Sequence, residues 1–210
     1  MRSTCRNRAG LERRNRRRSP APLLLGAVLS LALAGCASLN APPQFDLRAA
    51  PARARPSGAT FAVTTPTVFE PYNSDLIVVR GADGALSRAP GARWADRLPT
   101  LLQGRIVQTF ENAGLARQVV PQGEPAQYAL SVDVRRFDID AAKRQAVVEV
   151  TARLVAESGG RVVAAHVFSG AAPVAEIAGV APAQALGDAF ADVLSRLIPW
   201  AASLGRYPGT

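Results

Sequence analysis

The spacing of apolar residues changes several times along this chain, and each change marks an element. A continuous apolar run occupies residues 21–34 and stops at Cys36. Phe61–Val63 with Val68 and Phe69 reads as a strand and its following loop, and Leu76–Arg80 as a compact strand bounded by Asn73, Ser74 and Gly81. Ala82-Asp83-Gly84 supplies a tight turn, since Asp-Gly readily takes the positive φ that hairpins need, so residues 76–88 are predicted as a hairpin. Between Gly91 and Gly114 the period lengthens: Trp94, Leu98, Leu102, Ile106 and Phe110 recur every four residues, with Leu101 and Val107 widening the stripe. That is an amphipathic helix, regular from about Leu98 because Pro99 is tolerated only in a first turn, with Trp94 on the turn before it.

Alternation then returns. Tyr128, Leu130, Val132 and Val134 stand against Ala129, Ser131, Asp133 and Arg135, and Val148, Val150, Ala152 and Leu154 against Glu149, Thr151 and Arg153. Ser158-Gly159-Gly160 turns the chain into a third run at 161–169. Three such runs form an antiparallel meander with one apolar face that needs a cover. Leu186, Ala189, Phe190, Val193, Leu197 and Ala201 provide it at helical spacing, with Pro182 near the first turn. The predicted fold is α+β: a two-layer domain, mainly antiparallel sheet, packed against two amphipathic helices.

The N-terminal 58 residues follow a different logic. Eight arginines precede the apolar run, which is shorter than the roughly 20 residues that span a bilayer, and Leu33-Ala34-Gly35-Cys36 closes it. A basic head, an apolar core and small residues before a cleavage point make an export signal, and the cysteine makes the site a lipobox. Cys36 is therefore the candidate lipidation site, carrying palmitate-type acyl chains that anchor the mature chain to membrane lipid. The alternatives are a buried helix or a membrane span in which Cys36 is an ordinary residue. Residues 37–58 are rich in Ala, Pro and Arg, with Pro42, Pro43, Pro51 and Pro56 recurring. They read as an extended tether able to reach roughly 60 Å, or else Phe45-Asp46-Leu47 packs as a first short strand. The expected division is 1–35 signal, 36–58 lipidated cysteine and tether, and 59–205 a single domain.

Charge changes its meaning once the signal is set aside. The net charge of +9 suggests a nucleic-acid partner, but eight of the 25 basic residues and one of the 16 acidic residues lie in 1–36, leaving 17 against 15, or +2. A nearly balanced surface gives no electrostatic case for binding a phosphate backbone. Cys5 leaves with the signal and Cys36 takes lipid, so the domain has no internal disulfide and relies on its core.

Candidate chemistry is sparse. His166 is the one histidine and sits in an alternating strand; without a free cysteine or a second histidine, no Cys-His pair, zinc cluster or Ser-His-Asp triad with a spare ligand is convincingly assembled. Asp138 and Asp140 could form a carboxylate pair or cation site, but Arg135, Arg136, Lys143 and Arg144 beside them favour solvated loop charges. Gly81–Gly84 has no helix directly after it and so lacks the context of a phosphate cradle. Trp94 beside Arg93 could recognise a ligand by cation–π contact, or belong to the core. The expectation is a non-enzyme with no cofactor and no metal, in which Arg80, Arg93 and Trp94 are the candidate partner contacts.

These pieces together resemble a known family. The run from Leu76-Ile-Val-Val-Arg80 to Arg93-Trp94-Ala95-Asp96-Arg97-Leu98, the strand Tyr128 to Asp138 ending in Val-Arg-Arg-Phe-Asp, and the Ala-rich closing helix are similar to the ABC-type transport auxiliary lipoproteins, the PqiC-like proteins. The likeness covers nearly all of residues 36–205. Pro99, Arg97 and the alanine-rich segment 170–180 depart from the family pattern. The resemblance implies a periplasm-facing lipoprotein that works by docking beside an inner-membrane ABC permease and ATPase and an MCE-domain protein, moving phospholipid or other apolar cargo across the envelope. Ala37 follows Cys36 where inner-membrane lipoproteins commonly carry aspartate, so sorting to the outer membrane is expected. The competing readings are a structural or assembly lipoprotein of an outer-membrane machine or the cell wall, and a carrier with its own lipid cavity; self-association stays open.

Overall fold

The computed structural model describes residues 41–204, Ser57 excepted, so the residues expected as an export signal, and Cys36, lie outside the described residues. The elements run β1 (Gln44–Phe45), β2 (Phe61–Val63), a 3-10 turn (Glu70–Tyr72), β3 (Leu76–Arg80), β4 (Leu86–Trp94), α1 (Leu98–Phe110), β5 (Val119–Val120), β6 (Tyr128–Asp140), β7 (Gln145–Ala156), β8 (Arg161–Pro173) and α2 (Val180–Leu204). The α+β two-layer architecture is as expected, and the meander is present as β6–β7–β8.

The sheet is mixed, however. Strand β6 pairs along one edge with antiparallel β7, and its other edge is shared by two parallel partners. β2 takes the N-terminal end (Phe61↔Tyr128) and β3 the C-terminal end (Val78↔Asp138). β4 lies antiparallel to β3, β1 parallel to β4, and β5 parallel to β2. Across the sheet the order is therefore β1-β4-β3-β6-β7-β8, with β2 and then β5 on the β3 side of β6 at its N-terminal end. Alternation alone reveals that a strand is half-buried and says nothing of its neighbour's direction, so the parallel pairings are absent from the expected meander.

The apolar stripes fall where the spacing puts them. Leu98, Leu102, Ile106 and Phe110 of α1 are buried, as are Leu186, Ala189, Phe190, Val193, Leu197 and Ala201 of α2. Pro99 occupies the first turn of α1, where its missing N–H has no intrahelical partner to lose, and Gly114, at φ 81°, ends the helical stretch after one wide turn at Glu111–Leu115. Aromatic contacts join the layers: Phe61 of β2 stacks on Phe110 of α1 at 5.6 Å, and Trp94, Phe137 and Phe190 form an edge-to-face series from β4 through β6 to α2 at 6.0 and 5.8 Å.

Two expectations need correction. β4 continues through Pro90 and Gly91 to Trp94, so Trp94 closes a strand and does not sit on the helix's leading turn. Of the two readings of residues 37–58, the first short strand around Phe45 holds, and the extended tether is corrected from Gln44 onward. Gln44 and Phe45 pair with Arg93 and Trp94, and Leu47, Ala50 and Ala52 are buried. Thr109 of α1 fixes this run, its hydroxyl accepting from Ala50 N–H at 3.2 Å and donating to the Arg105 carbonyl at 2.6 Å. Small alanines between prolines let an extended chain lie close against a helix, which composition alone reads as polar linker.

Candidate functional site

The three residues expected to meet a partner do not form one patch. Arg80 pairs with Leu86 and Arg93 with Leu76, so the two arginines stand at opposite ends of the β3–β4 hairpin. Trp94 is 1 % exposed and packs edge-to-face on Phe137, so it is a core residue and offers no face to a partner. Arg93 is partly exposed beside Asp75, its Nε 3.3 Å from the carboxylate. Cys36 lies outside the described residues.

Arg80 belongs to a cluster that the sequence did not single out. Asp138, expected as a solvated loop charge, is fully buried near the C-terminal end of β6. Three side chains donate to its carboxylate: the Tyr72 hydroxyl at 2.5 Å, Arg80 through Nε and Nη2 at 3.2 and 3.0 Å, and Arg136 through Nη2 at 2.6 Å. Arg80 Nη2 also donates to the Tyr72 hydroxyl at 3.1 Å. Tyr72 is fully buried, and Phe69, 44 % exposed, stacks edge-on against it at 4.4 Å. Asp140 instead closes a turn, accepting from Lys143 N–H.

A bulge builds this cluster. In β6 the core-facing positions are Leu130, Val132 and Val134 before the register shift at 134–136, and Phe137 and Ile139 after it. The shift moves Arg136 and Asp138 together onto the sheet's outer face, where the 3-10 turn lays Tyr72 over them. Burial by itself would raise the Asp138 pKa, but the hydrogen bonds from Arg136, Tyr72 and Arg80 outweigh it and hold the carboxyl below its ordinary value. Burial first, then Asp138, pushes the Tyr72 hydroxyl up to about 12. With its lone pairs committed to donors, Asp138 is placed to fasten the turn to the sheet, not to move protons.

The remaining candidates are separate from this cluster. His166 is exposed on β8, edge-on to Phe168 at 4.6 Å and near Trp200 of α2. A groove of about 590 Å³ opens between α1 and β5, floored by Val63, Val107 and Val119 and rimmed by Gln103, Gln108 and Gln122. Among the described residues no group of three His, Cys, Asp or Glu side chains is placed to hold a metal ion, and no helix is long and apolar enough to cross a membrane.

Comparison with known proteins bears on the domain as a whole. A family model described as ABC-type transport auxiliary lipoprotein component matches residues 44–197. The crystal structure of protein XCC0632 from Xanthomonas campestris is similar with a TM-score of 0.69 and 31% identity, over 76% of this chain and 93% of that one. The uncharacterized protein bll6063 of Bradyrhizobium diazoefficiens is 33% identical over 111 residues, which spans 51% of this chain and 30% of that protein's own length.

Proposed function

The chain belongs to the ABC-type transport auxiliary lipoprotein component family, and on that premise we propose that it is a lipid-anchored, periplasm-facing docking component of an ABC/MCE-type transport system. The match over residues 44–197 carries this reading, because it runs from β1 to the last turns of α2 and so concerns the whole folded unit. Leu33-Ala34-Gly35-Cys36 supports the anchor. Acyl chains add about 0.8 kcal/mol per buried CH₂, and more than one chain is needed for durable attachment. Ala37 after Cys36 favours the outer membrane.

Docking is favoured over catalysis because the buried polar groups Asp138 and Tyr72 are spent on one another and on two arginines. The partners on this reading are an inner-membrane permease and ATPase and an MCE-domain protein, and the cargo is phospholipid or another apolar molecule.

Two measurements test the proposal. Labelled fatty acid is expected in the wild-type protein and not in Cys36→Ser; label that persists in the variant removes the anchor. Affinity recovery of the tagged protein from solubilised membranes is expected to bring the permease, the ATPase or the MCE-domain protein. Recovery of an unrelated outer-membrane assembly machine without any of them replaces transport with the assembly reading.

A further inference from the structure

Among the described strands, the edges of the sheet are short or obstructed in all but one place. β1 covers β4 at Arg93 and Trp94, and further along β4 Pro90 supplies no N–H while its carbonyl accepts from Gly179 N–H at 3.0 Å. β1 and β5 are two residues each, and β5 runs into Pro121. β8 is different. Its 13 residues pair only with β7, and no Asp, Glu, Lys or Arg occurs from Val162 to Pro173. Val162, Val163 and Val167 stand 50 %, 36 % and 45 % exposed along it. A long apolar edge of this kind is a template for a further strand.

The ladder fixes which backbone groups of β8 are open. Val174 N–H donates to the Arg144 carbonyl, and the register runs without a shift from Gln145↔Pro173 to Leu154↔Ala164. Antiparallel bonding alternates, so the even-numbered residues of this stretch bond β7, and Ala165, Val167 and Ser169 turn their N–H and C=O outward. Arg196 of α2 agrees with this phase: its Nη2 donates to the Ser169 carbonyl at 2.6 Å and so caps the edge there. At the other end, the register shift leaves Val163 as an extra, bulged residue. Between the two obstructions the open groups are the N–H and C=O of Ala165 and of Val167, and both obstructions lie three residues from His166.

We propose that this edge takes a second copy of the same chain, β8 pairing antiparallel with β8 about a two-fold axis at His166. The symmetry of the open stretch selects that occupant, since a strand from another protein would need no such centre. In this register Ala165 meets the second copy's Val167 and Val167 its Ala165, so every open group finds a partner. Bulged Val163 falls opposite capped Ser169, and no bond is forfeited. Val167 lies beside Ala165 on the outer face, and His166, which neighbours Trp200 of α2, meets its own counterpart. With no acidic or basic side chain from Val162 to Pro173, like charges do not oppose each other across the pair. The contact is isologous and closes at two, because the other edges are short or obstructed. It concerns the folded domain and does not rest on lipid at Cys36.

The test is disulfide capture in membranes of cells that produce the full chain. Residues facing each other in a non-hydrogen-bonded antiparallel pair have Cα atoms about 4.5 Å apart, within the range that a disulfide bridges. Under mild oxidation His166→Cys is expected to give a covalent dimer at about tenfold or more the yield of Leu86→Cys, an exposed position on β4, each counted above the unsubstituted chain. Lysine blunts an edge strand, so adding Val167→Lys to His166→Cys is expected to lower that yield about tenfold, and adding Leu86→Lys to leave it unchanged. Equal yields at positions 166 and 86 reveal random collision and overturn the pairing. Equal losses from the two lysines overturn the β8 edge as its seat. A disulfide from position 166 to a different protein, with no dimer of this chain, gives the edge to another partner and overturns the second copy.

Discussion

Asp138 carries its charge into the protein interior, where an unpaired carboxylate would be expensive, and three donors make the position tenable. Removing the carboxylate leaves two guanidiniums and a buried hydroxyl without their acceptor. Both arginines are partly exposed, at 28 % and 29 %, so water recovers some of the loss. Asp138→Ala is expected to destabilise the domain by about 2–3 kcal/mol, read from the urea midpoint; an unchanged midpoint shows that the turn is held by other contacts. The pH dependence comes from the direction of each shift. The Asp138 pKa is depressed, so its contribution is complete above the unfolded value of about 4 and is lost as pH falls through the folded value. Tyr72 is raised to about 12, so its contribution is complete below the unfolded value of about 10 and is lost between there and about 12. Tyr72→Phe is expected to flatten the stability profile over pH 10–12, whereas an unchanged alkaline limb assigns that loss to another group.

At the scale of elements, the contact of β8 with α2 depends on a residue without a side chain. A Cβ on Gly170 would overlap the Ala189 carbonyl oxygen and crowd Asp192 and Val193 at 3.1 Å. The obstruction is helix backbone, which cannot rotate aside, so the helix must lift. Gly170→Ala is expected to cost about 1–3 kcal/mol by thermal or urea unfolding, while Gly187→Ala, in open space on the helix, is expected to be neutral or slightly stabilising. Equal effects of the two would show that the close approach does not limit stability. Both helices were legible from their apolar period, and the meander from its alternation, because a half-buried element writes its exposed and buried sides into sequence. The bulge in β6 was also written there, as the change of apolar phase from Val134 to Phe137, though a phase change is read easily only when the partner strand is known. Trp94 went the other way: its four-residue offset from Leu98 fits a helical stripe, yet pairing with β1 makes it the end of a strand.

For the molecule as a whole, the lower boundary of the domain is the point that matters most. Leu47, Ala50 and Ala52 contribute buried surface, and β1 covers an edge of β4 beside the buried Trp94. A chain starting at Ala59 is expected to be less stable than one starting at Ala41 by about 3 kcal/mol or more, since it uncovers one large apolar side chain and several small ones. Equal unfolding midpoints would show that residues 41–58 add nothing to the fold and act as a free tether. The sequence by itself determined the near-neutral charge of the chain beyond Cys36, the two amphipathic helices and the meander, since each depends on composition or on a repeat along the chain, and it carries the Leu33-Ala34-Gly35-Cys36 pattern on which the anchor proposal rests. Only the tertiary structure decided the parallel pairings, the burial of Trp94, the joining of Asp138 with Tyr72, Arg80 and Arg136, and the packing of residues 44–52 on the domain. Those depend on contacts between residues far apart in the chain, 66 positions for Tyr72 and Asp138, and no local period records which distant side chain will be present to satisfy a buried charge.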